Sequence, residues 1–527
     1  MNRRDLISIA MGIPAIYGIS KYVSYKSTSG IQINLHYRGM AEGHLIRDGH
    51  IIAPEKQKEI QSDVCVIGSG ISGLTCCWKL LSSGYKGNIV LVTGGELFGN
   101  SSDIKIENSS YPTGAHYLPL QNEESFHTRE LLKFFDIIKS EEFSLKPNYN
   151  ENHLVFSPME RVLYEKEWTE GLYKKTETSV RFFEFIDTFK NKIGSDGKKL
   201  FSIPLPLSSI DGLYLDKISF KDWLIENNYI EESLWDYLDY CCRDDYGTNI
   251  SITSAWAGIH YFAGRTGKCA NMEEETILTW KNGNAFLAQK LFDYIRNKIT
   301  VIEGSAYKYS IDKKNISVAN LKNAEFYSIK TKNTVFATPL NIINHICDTP
   351  ILKKEILPDH SVWVISNFLL KELPREKYKG IGLSYDNVVF PSTNLGYVFS
   401  DNQSMDISRD KKVLTTYTCL SDKKMLDSRK QLISMNKQDL FDLAIKDLLT
   451  SYGEHIYSLI ESVDINIRGH AMPYPNVGFL YRNKSLQITT QDLKSKRIFL
   501  AHADLSGISI FEEASWWGYK AALDIIA

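Results

Sequence analysis

A segment of buried-strand character, Ser62-Asp63-Val64-Cys65-Val66-Ile67, runs directly into Gly68-Ser69-Gly70-Ile71-Ser72-Gly73. Leu74 to Ser83 follows with helical spacing, and Asn88-Ile89-Val90-Leu91-Val92 reads as a second apolar strand. The order predicts a βαβ unit with G-x-G-x-x-G at its first turn, the arrangement that binds the pyrophosphate of a dinucleotide. Gly68 permits the tight turn, Gly70 lets phosphate touch bare backbone, and Gly73 lets helix and strand pack closely. The helix start adds unpaired N–H groups and a positive dipole end. An Asp or Glu usually holds the ribose at the end of the second strand, and by spacing that place falls on Thr93, in Val92-Thr93-Gly94-Gly95-Glu96. Either Thr93 bonds the ribose itself or Glu96 reaches back. No basic residue is present there, which argues against a 2′-phosphate and NADP. The motif alone leaves FAD and NAD open.

Far downstream, Arg497-Ile498-Phe499-Leu500-Ala501 reads as a strand and His502-Ala503-Asp504-Leu505-Ser506-Gly507 as a polar turn. Ile510 to Ile526 reads as a helix with Gly518, Ala521 and Ala522 at tightly packing positions. Here the sequence resembles the flavin-containing amine oxidase, protoporphyrinogen oxidase and phytoene desaturase superfamily. The resemblance implies FAD as cofactor, bound by a Rossmann-like domain of α/β class with a discontinuous α+β substrate domain. It implies that Asp504 faces the pyrophosphate and ribityl chain, and that the last helix, with Phe511 in its first turn, aims its N-terminus at the flavin. His502-Ala503 departs from the single glycine usual in that turn. Phe98-Gly99-Asn100-Ser101-Ser102 and Tyr111-Pro112-Thr113-Gly114-Ala115-His116-Tyr117 resemble the glycine-bearing loop and the segment beneath the ring, with Gly114 and Ala115 small where a flat ring approaches. Residues 299–337 read as a β-meander, closing on a Phe336-Ala337-Thr338-Pro339 strand end that also resembles the superfamily.

His116 is the first catalytic candidate because it follows Gly114-Ala115, and His260, within Ser254 to Phe262, is the second. Clusters at 280–284 and 468–473, and Trp516-Trp517, are further candidates for the pocket wall, each weighed against simple core packing. No serine or cysteine nucleophile signature is present, and no lysine can be matched to the flavin-proximal lysine that related oxidases use. The hard chemistry would be the flavin's.

The elements that must position these groups are ample. The 527 residues allow about three domains, or two large discontinuous ones. With 43% apolar and 24% charged residues the composition is that of a folded globular protein. Lys plus Arg is 61 and Asp plus Glu is 63, so the net charge of -2 offers no polycationic surface, and a nucleic-acid partner is excluded from the reading. The eight cysteines contain no C-x-x-C and no zinc-ligand spacing, so no metal site is expected and free thiols are. Arg3-Arg4 before the apolar run Leu6 to Ile19 resembles a bacterial twin-arginine export signal. That implies the twin-arginine machinery as partner and a periplasmic or exported protein, tethered to the membrane if the segment is retained. The domain reading is 1–30 signal or tether, 45–122, 281–340 and 456–527 cofactor-binding, and 123–280 and 341–455 substrate-binding, with helical patterns over 123–193 and 425–452 and strands near 361–370, 386–400 and 412–420. The function expected is FAD-dependent oxidation of an amine, or of a C–H/N–H bond in an apolar molecule, with the flavin reoxidised by oxygen or a quinone. Isomerisation on reduced flavin and a non-catalytic exported flavoprotein are the alternatives.

Overall fold

The computed structural model describes residues 30–272, 276–404 and 410–527. The expected export signal lies outside them. The described chain enters on β1 (Gln32–Tyr37) and a short helix, α1 (Met40–Arg47), and then forms the anticipated unit of β2 (Lys58–Ile67), α2 (Ile71–Ser82) and β3 (Ile89–Val92). The segment expected as a meander contains β4 (Thr300–Ile302), β5 (Ser305–Ser310), β6 (Asn315–Asn320) and β7 (Glu325–Phe336), of which β5, β6 and β7 pair antiparallel in succession while β4 pairs in parallel with β3 instead, and the late elements are β8 (Ile498–Leu500) and α3 (Phe511–Ile526).

These strands make one seven-stranded sheet in the order β4-β3-β2-β7-β6-β5, with β8 beside the end of β7. The run β4-β3-β2-β7-β8 is parallel throughout. Val64, Val66 and Leu91 face one core together with Leu74 and Trp78 of α2, while Cys65, Ile67 and Val92 face the other. Burial on both faces explains why these strands read as continuous apolar runs. The turns between β5 and β6 and between β6 and β7 carry left-handed residues, Lys314 (φ 48°) and Ala324 (φ 52°). All eight cysteines are free and buried, with burial pushing the Cys76 thiol up to about 12.

A nine-stranded sheet carries the second domain, and it corrects one domain boundary and one expected helical span. Strand Ile460–Arg468, expected on the cofactor side, pairs antiparallel with Trp363–Glu372 and parallel with β1, so it belongs to this sheet. The span 123–193 is not helical throughout: Glu160–Tyr164 and Glu167–Glu170 are strands of the same sheet, between helices Phe126–Phe134 and Glu177–Lys190. In both places the partners are remote in sequence, which local periodicity cannot report. The strands expected near 361–370 and 412–420 are present as Trp363–Glu372 and Asp410–Cys419. Helices Glu177–Lys190, Glu232–Tyr246 and Ala255–Ala263 build a separate aromatic-rich core around Phe182, Trp223 and Trp256. Among the described residues no helix is long and apolar enough to cross a membrane.

α3 packs against α2, and at Gly518 the approach is so close that an added Cβ would sit 2.0 Å from the Ser72 carbonyl oxygen. Gly518→Ala is therefore expected to destabilise the protein by about 1–3 kcal/mol through overpacking. A chemical denaturation midpoint equal to wild type would show that these helices separate freely.

Candidate active site

The turn after β2 and the turn after β7 meet. Ala337 N–H donates to the Ile67 carbonyl at 2.8 Å. Gly68 takes φ +111°, and a Cβ on it would lie 2.3 Å from the Ala337 oxygen. A Cβ on Gly73 would lie 2.0 Å from the Gly68 oxygen. Gly70 differs: its backbone is extended and an added Cβ meets nothing within 4 Å, so the space beside it is open groove. The first helical hydrogen bond of α2 runs from Leu74 N–H to Gly70 C=O, 3.0 Å. The amides ahead of it lack helical partners and are available to an anion.

Beside this cradle, the loop at Gly99 approaches Gly70. Arg468, from the second sheet, is buried among the loops. Its two Nη atoms donate to both oxygens of Glu96 at 2.9 and 2.8 Å, and its Nε donates to the Thr113 carbonyl at 3.1 Å. Both Glu96 oxygens are therefore held toward Arg468. Thr93 is similarly engaged: its hydroxyl donates to Gly94 C=O at 3.2 Å and accepts from Gly304 N–H at 3.3 Å.

A cavity of about 140 Å³ opens where the two domains meet. Gly114 to Pro119 and Ser509 to Glu512 line it from the cofactor-side segments, Trp363, Ile365 and Tyr417 from the second sheet, and Asp244, Asp245 and Arg265 from the helical region. Its largely apolar lining with a few convergent polar groups is that of a small-molecule site. One part is polar. Arg265 donates to both oxygens of Asp245 at 2.6 Å, and Tyr117 O–H donates to Asp244 at 3.2 Å. Burial, and then the neighbouring Asp245 charge, push the Asp244 carboxyl up to about 7. Asn284 and Glu512 each keep one buried oxygen without a partner among the described residues, although Gln121 donates to the other Glu512 oxygen at 2.9 Å. Among the described residues no cluster of three or more His, Cys, Asp or Glu is placed to hold a metal ion.

A family model of NAD(P)-binding Rossmann-like domains matches residues 66–135. No curated protein sequence matches the chain. Among solved structures it is similar to a redesigned putrescine oxidase, over 89% of this chain and 99% of that one, at 13% identity and a TM-score of 0.62. It is similar to cyclohexylamine oxidase from Brevibacterium oxydans over 88% and 98%, at 13% identity and a TM-score of 0.60. The fold is that of the flavin amine oxidases. A reduced UDP-galactopyranose mutase shares it, over 88% of this chain and 94% of that one, at 12% identity and a TM-score of 0.56.

Within this amine-oxidase fold the expected residues separate. Gly68, Gly70, Gly73, Ala115, His116 and Phe511 gather along the cradle and cavity. His116 is 7% exposed, its ring 4.7 Å from that of Tyr417, and its ring nitrogens have no hydrogen-bond partner among the described residues. Burial lowers its pKa to about 3, so it is neutral near pH 7. Gly114 lines the cavity, but its smallness has a nearer cause than a flat ring: a Cβ there would lie 2.1 Å from the Asn100 carbonyl oxygen.

Two expectations are corrected. His260 is not in the cavity. It stacks on Trp256 (4.7 Å, 17°) and its Nε2 bonds the Ser202 carbonyl at 3.0 Å, so it is a core histidine. Asp504 does not open toward a cofactor. It is wholly buried, accepts from Leu340 N–H at 2.8 Å, and lies 3.1 Å from both His360 Nε2 and His502 Nδ1. Burial alone would raise its pKa, but the flanking imidazoles hold it well below the usual carboxylate range. Its work is to bind the turn between β8 and α3 to Leu340, the first residue of the helix that follows β7.

Asp244, Asp245 and Arg265 were missed because Arg243-Asp244-Asp245 reads as a solvated helix face. The available signal was its company, Tyr240-Cys241-Cys242 before it and Tyr246 after it, on a helix too apolar at that end to face water.

Because a side chain at Gly70 fits the fold but fills the groove, Gly70→Val is expected to melt like wild type and to take up no added FAD. FAD uptake by the purified variant equal to that of wild type would remove the cradle from the site. His260 yields a pH test. Burial lowers its pKa to about 4 from 6.5, so the unfolded chain takes up a proton that the folded chain refuses as pH falls through that window. Its stabilising part is complete above pH 6.5 and declines by up to about 3 kcal/mol toward pH 4. The stability of His260→Phe relative to wild type should rise by that order between pH 7 and pH 4, and a pH-independent difference would contradict the assignment.

Proposed function

We propose that the chain is an FAD-dependent oxidoreductase that removes a hydride equivalent from a small amine or from a C–H/N–H bond of an apolar molecule. The residues present fit the group: the space beside Gly70 admits a pyrophosphate, and the α2 N-terminus supplies donors. When bound, FAD supplies the two-electron acceptor, later reoxidised by oxygen or a quinone. The protein's part is to hold the substrate, exclude water and take a proton.

The observation that carries the reading is the cavity wall, largely apolar, with Asp244, Asp245, Arg265, Arg468 and Glu512 as its charged side chains and with Ala115 and Phe511 in the same lining. Tyr417, Trp363 and Ile365 supply apolar and aromatic surface. For a cationic substrate Asp244 supplies the charge complement, since Arg265 already neutralises Asp245. A carboxyl group poised near 7 also accepts a proton far better than His116, whose pKa of about 3 makes it a weak base. His116 then serves as a neutral hydrogen-bonding wall group. The similarity to a mutase keeps flavin-dependent isomerisation as the second reading.

Anaerobic bleaching of the purified flavoprotein by a panel of amines separates the two. Oxidation predicts loss of the yellow absorbance on adding one of the amines, and Asp244→Asn should need roughly ten- to hundredfold more of it at unchanged flavin content, the range of a lost charged hydrogen bond. Product formed only after dithionite reduction, with no net oxidation, would replace the oxidase reading by the isomerase one.

A further inference from the structure

A dinucleotide groove needs an acceptor for the ribose hydroxyls at the tip of its second strand. In this chain Thr93 occupies that tip with its hydroxyl already bonded at Gly94 and Gly304, and Glu96 is held on both oxygens by Arg468. A different carboxylate arrives there from outside the βαβ unit. Glu42, in α1, accepts a hydrogen bond from Ser305 Oγ at 2.7 Å, and its Oε2 lies 2.6 Å from the place a Cβ on Gly95 would take. Gly39 Cα is 3.5 Å from the same point. The bare backbone of Gly94-Gly95 thus lets an N-terminal strap lie directly on the strand tip. The second Glu42 oxygen has no hydrogen-bond partner among the described residues.

The strap is fixed at both ends. β1 pairs in parallel with the second sheet from Gln32↔Ser462 to Tyr37↔Ile467, and Arg38 donates from Nε and Nη2 to Asn466 Oδ1 at 2.8 and 2.6 Å. Gly39, at φ +62°, then turns the chain into α1, whose Ile46 packs on the core beneath β3 and β7. Glu42 is therefore delivered to Gly95 and Ser305 by a strand of one sheet and a helix seated on the other.

We propose that Glu42 replaces the missing strand-end carboxylate and accepts the hydrogen bonds of the adenosine ribose, so that a segment preceding the motif completes the dinucleotide site. The proposal rests on the FAD reading. Its negative charge also disfavours a 2′-phosphate at that position.

Titration of the deflavinated protein with FAD and, separately, with FMN tests it. Glu42→Ala and the isosteric Glu42→Gln should each weaken FAD roughly ten- to hundredfold while leaving FMN, which lacks the adenosine, unchanged. Adding Thr93→Glu to Glu42→Ala should restore part of the FAD affinity. Unchanged FAD affinity in both single variants overturns the proposal, as does equal weakening of FAD and FMN, which would reduce the strap to a structural brace. A wild-type protein that takes up neither flavin overturns the FAD reading along with it, so the two failures are told apart by the wild-type titration.

Discussion

The structure depends on one close approach, that of the carboxyl ends of β2 and β7. These two strands pair in parallel from Tyr327↔Lys58 to Phe336↔Ile67 and then diverge to opposite sides, β2 into the glycine turn and β7 into Ala337-Thr338-Pro339. The divergence is a topological switch point, and it leaves a crevice that no strand fills. At the crevice Gly68 and Ala337 lie so near that any side chain on Gly68 would strike the Ala337 carbonyl. Everything that lines the groove is referred to that contact: α2 through Gly73, α3 through Gly518 against Ser72, and the late turn through Asp504 on Leu340 N–H.

Around the crevice the protein sets charge by burial more than by pairing. Glu512 and Glu513 begin α3, where a helix N-terminus favours negative charge, yet both are nearly or wholly buried and both are shifted upward, Glu513 to about 8. Its oxygens accept from Leu205 N–H and Ser506 O–H at 2.5 Å, which is too little to offset desolvation. The buried histidines 116, 127 and 260 move the other way and are neutral. The cavity therefore presents few fixed charges, and a single ionisation at Asp244 changes its character more than it would on a surface.

What the sequence made legible follows the range of the interactions involved. The glycine turn, its helix and both strands were readable because their geometry is decided within about thirty residues of one βαβ unit. The antiparallel run from β5 to β7 was readable for the same reason, while β4, whose partner β3 lies some two hundred residues earlier, was not. Strand Ile460–Arg468 was misassigned because its neighbours, β1 and Trp363–Glu372, lie far away in the chain. The identity of His260 depended on Ser202, and that of Asp504 on His360, neither within reach of a local pattern. Glu42 was invisible for an added reason: nothing in Met40–Arg47 carries a motif, and its meaning arises only from the acceptor missing at Thr93.

Arg468 shows how a site assembled from distant segments is made to hold together. It is the last residue of a strand in the second sheet, and its guanidinium reaches the Glu96 and Thr113 loops of the first. A buried bidentate pair of this kind gains little net stability over apolar packing, but breaking one side leaves an uncompensated charge. Its contribution is thus to geometry: the second sheet cannot shift without stranding either the guanidinium or the Glu96 carboxylate. Because Arg468 also lines the cavity, the same bond that docks the sheets sets the distance between the wall bearing Trp363 and Tyr417 and the segment bearing Ala115 and His116. β1 reinforces this from the far side of Ile460–Arg468 and continues into the strap over Gly95, so groove, cavity and docking surface are braced by one strand and its two partners.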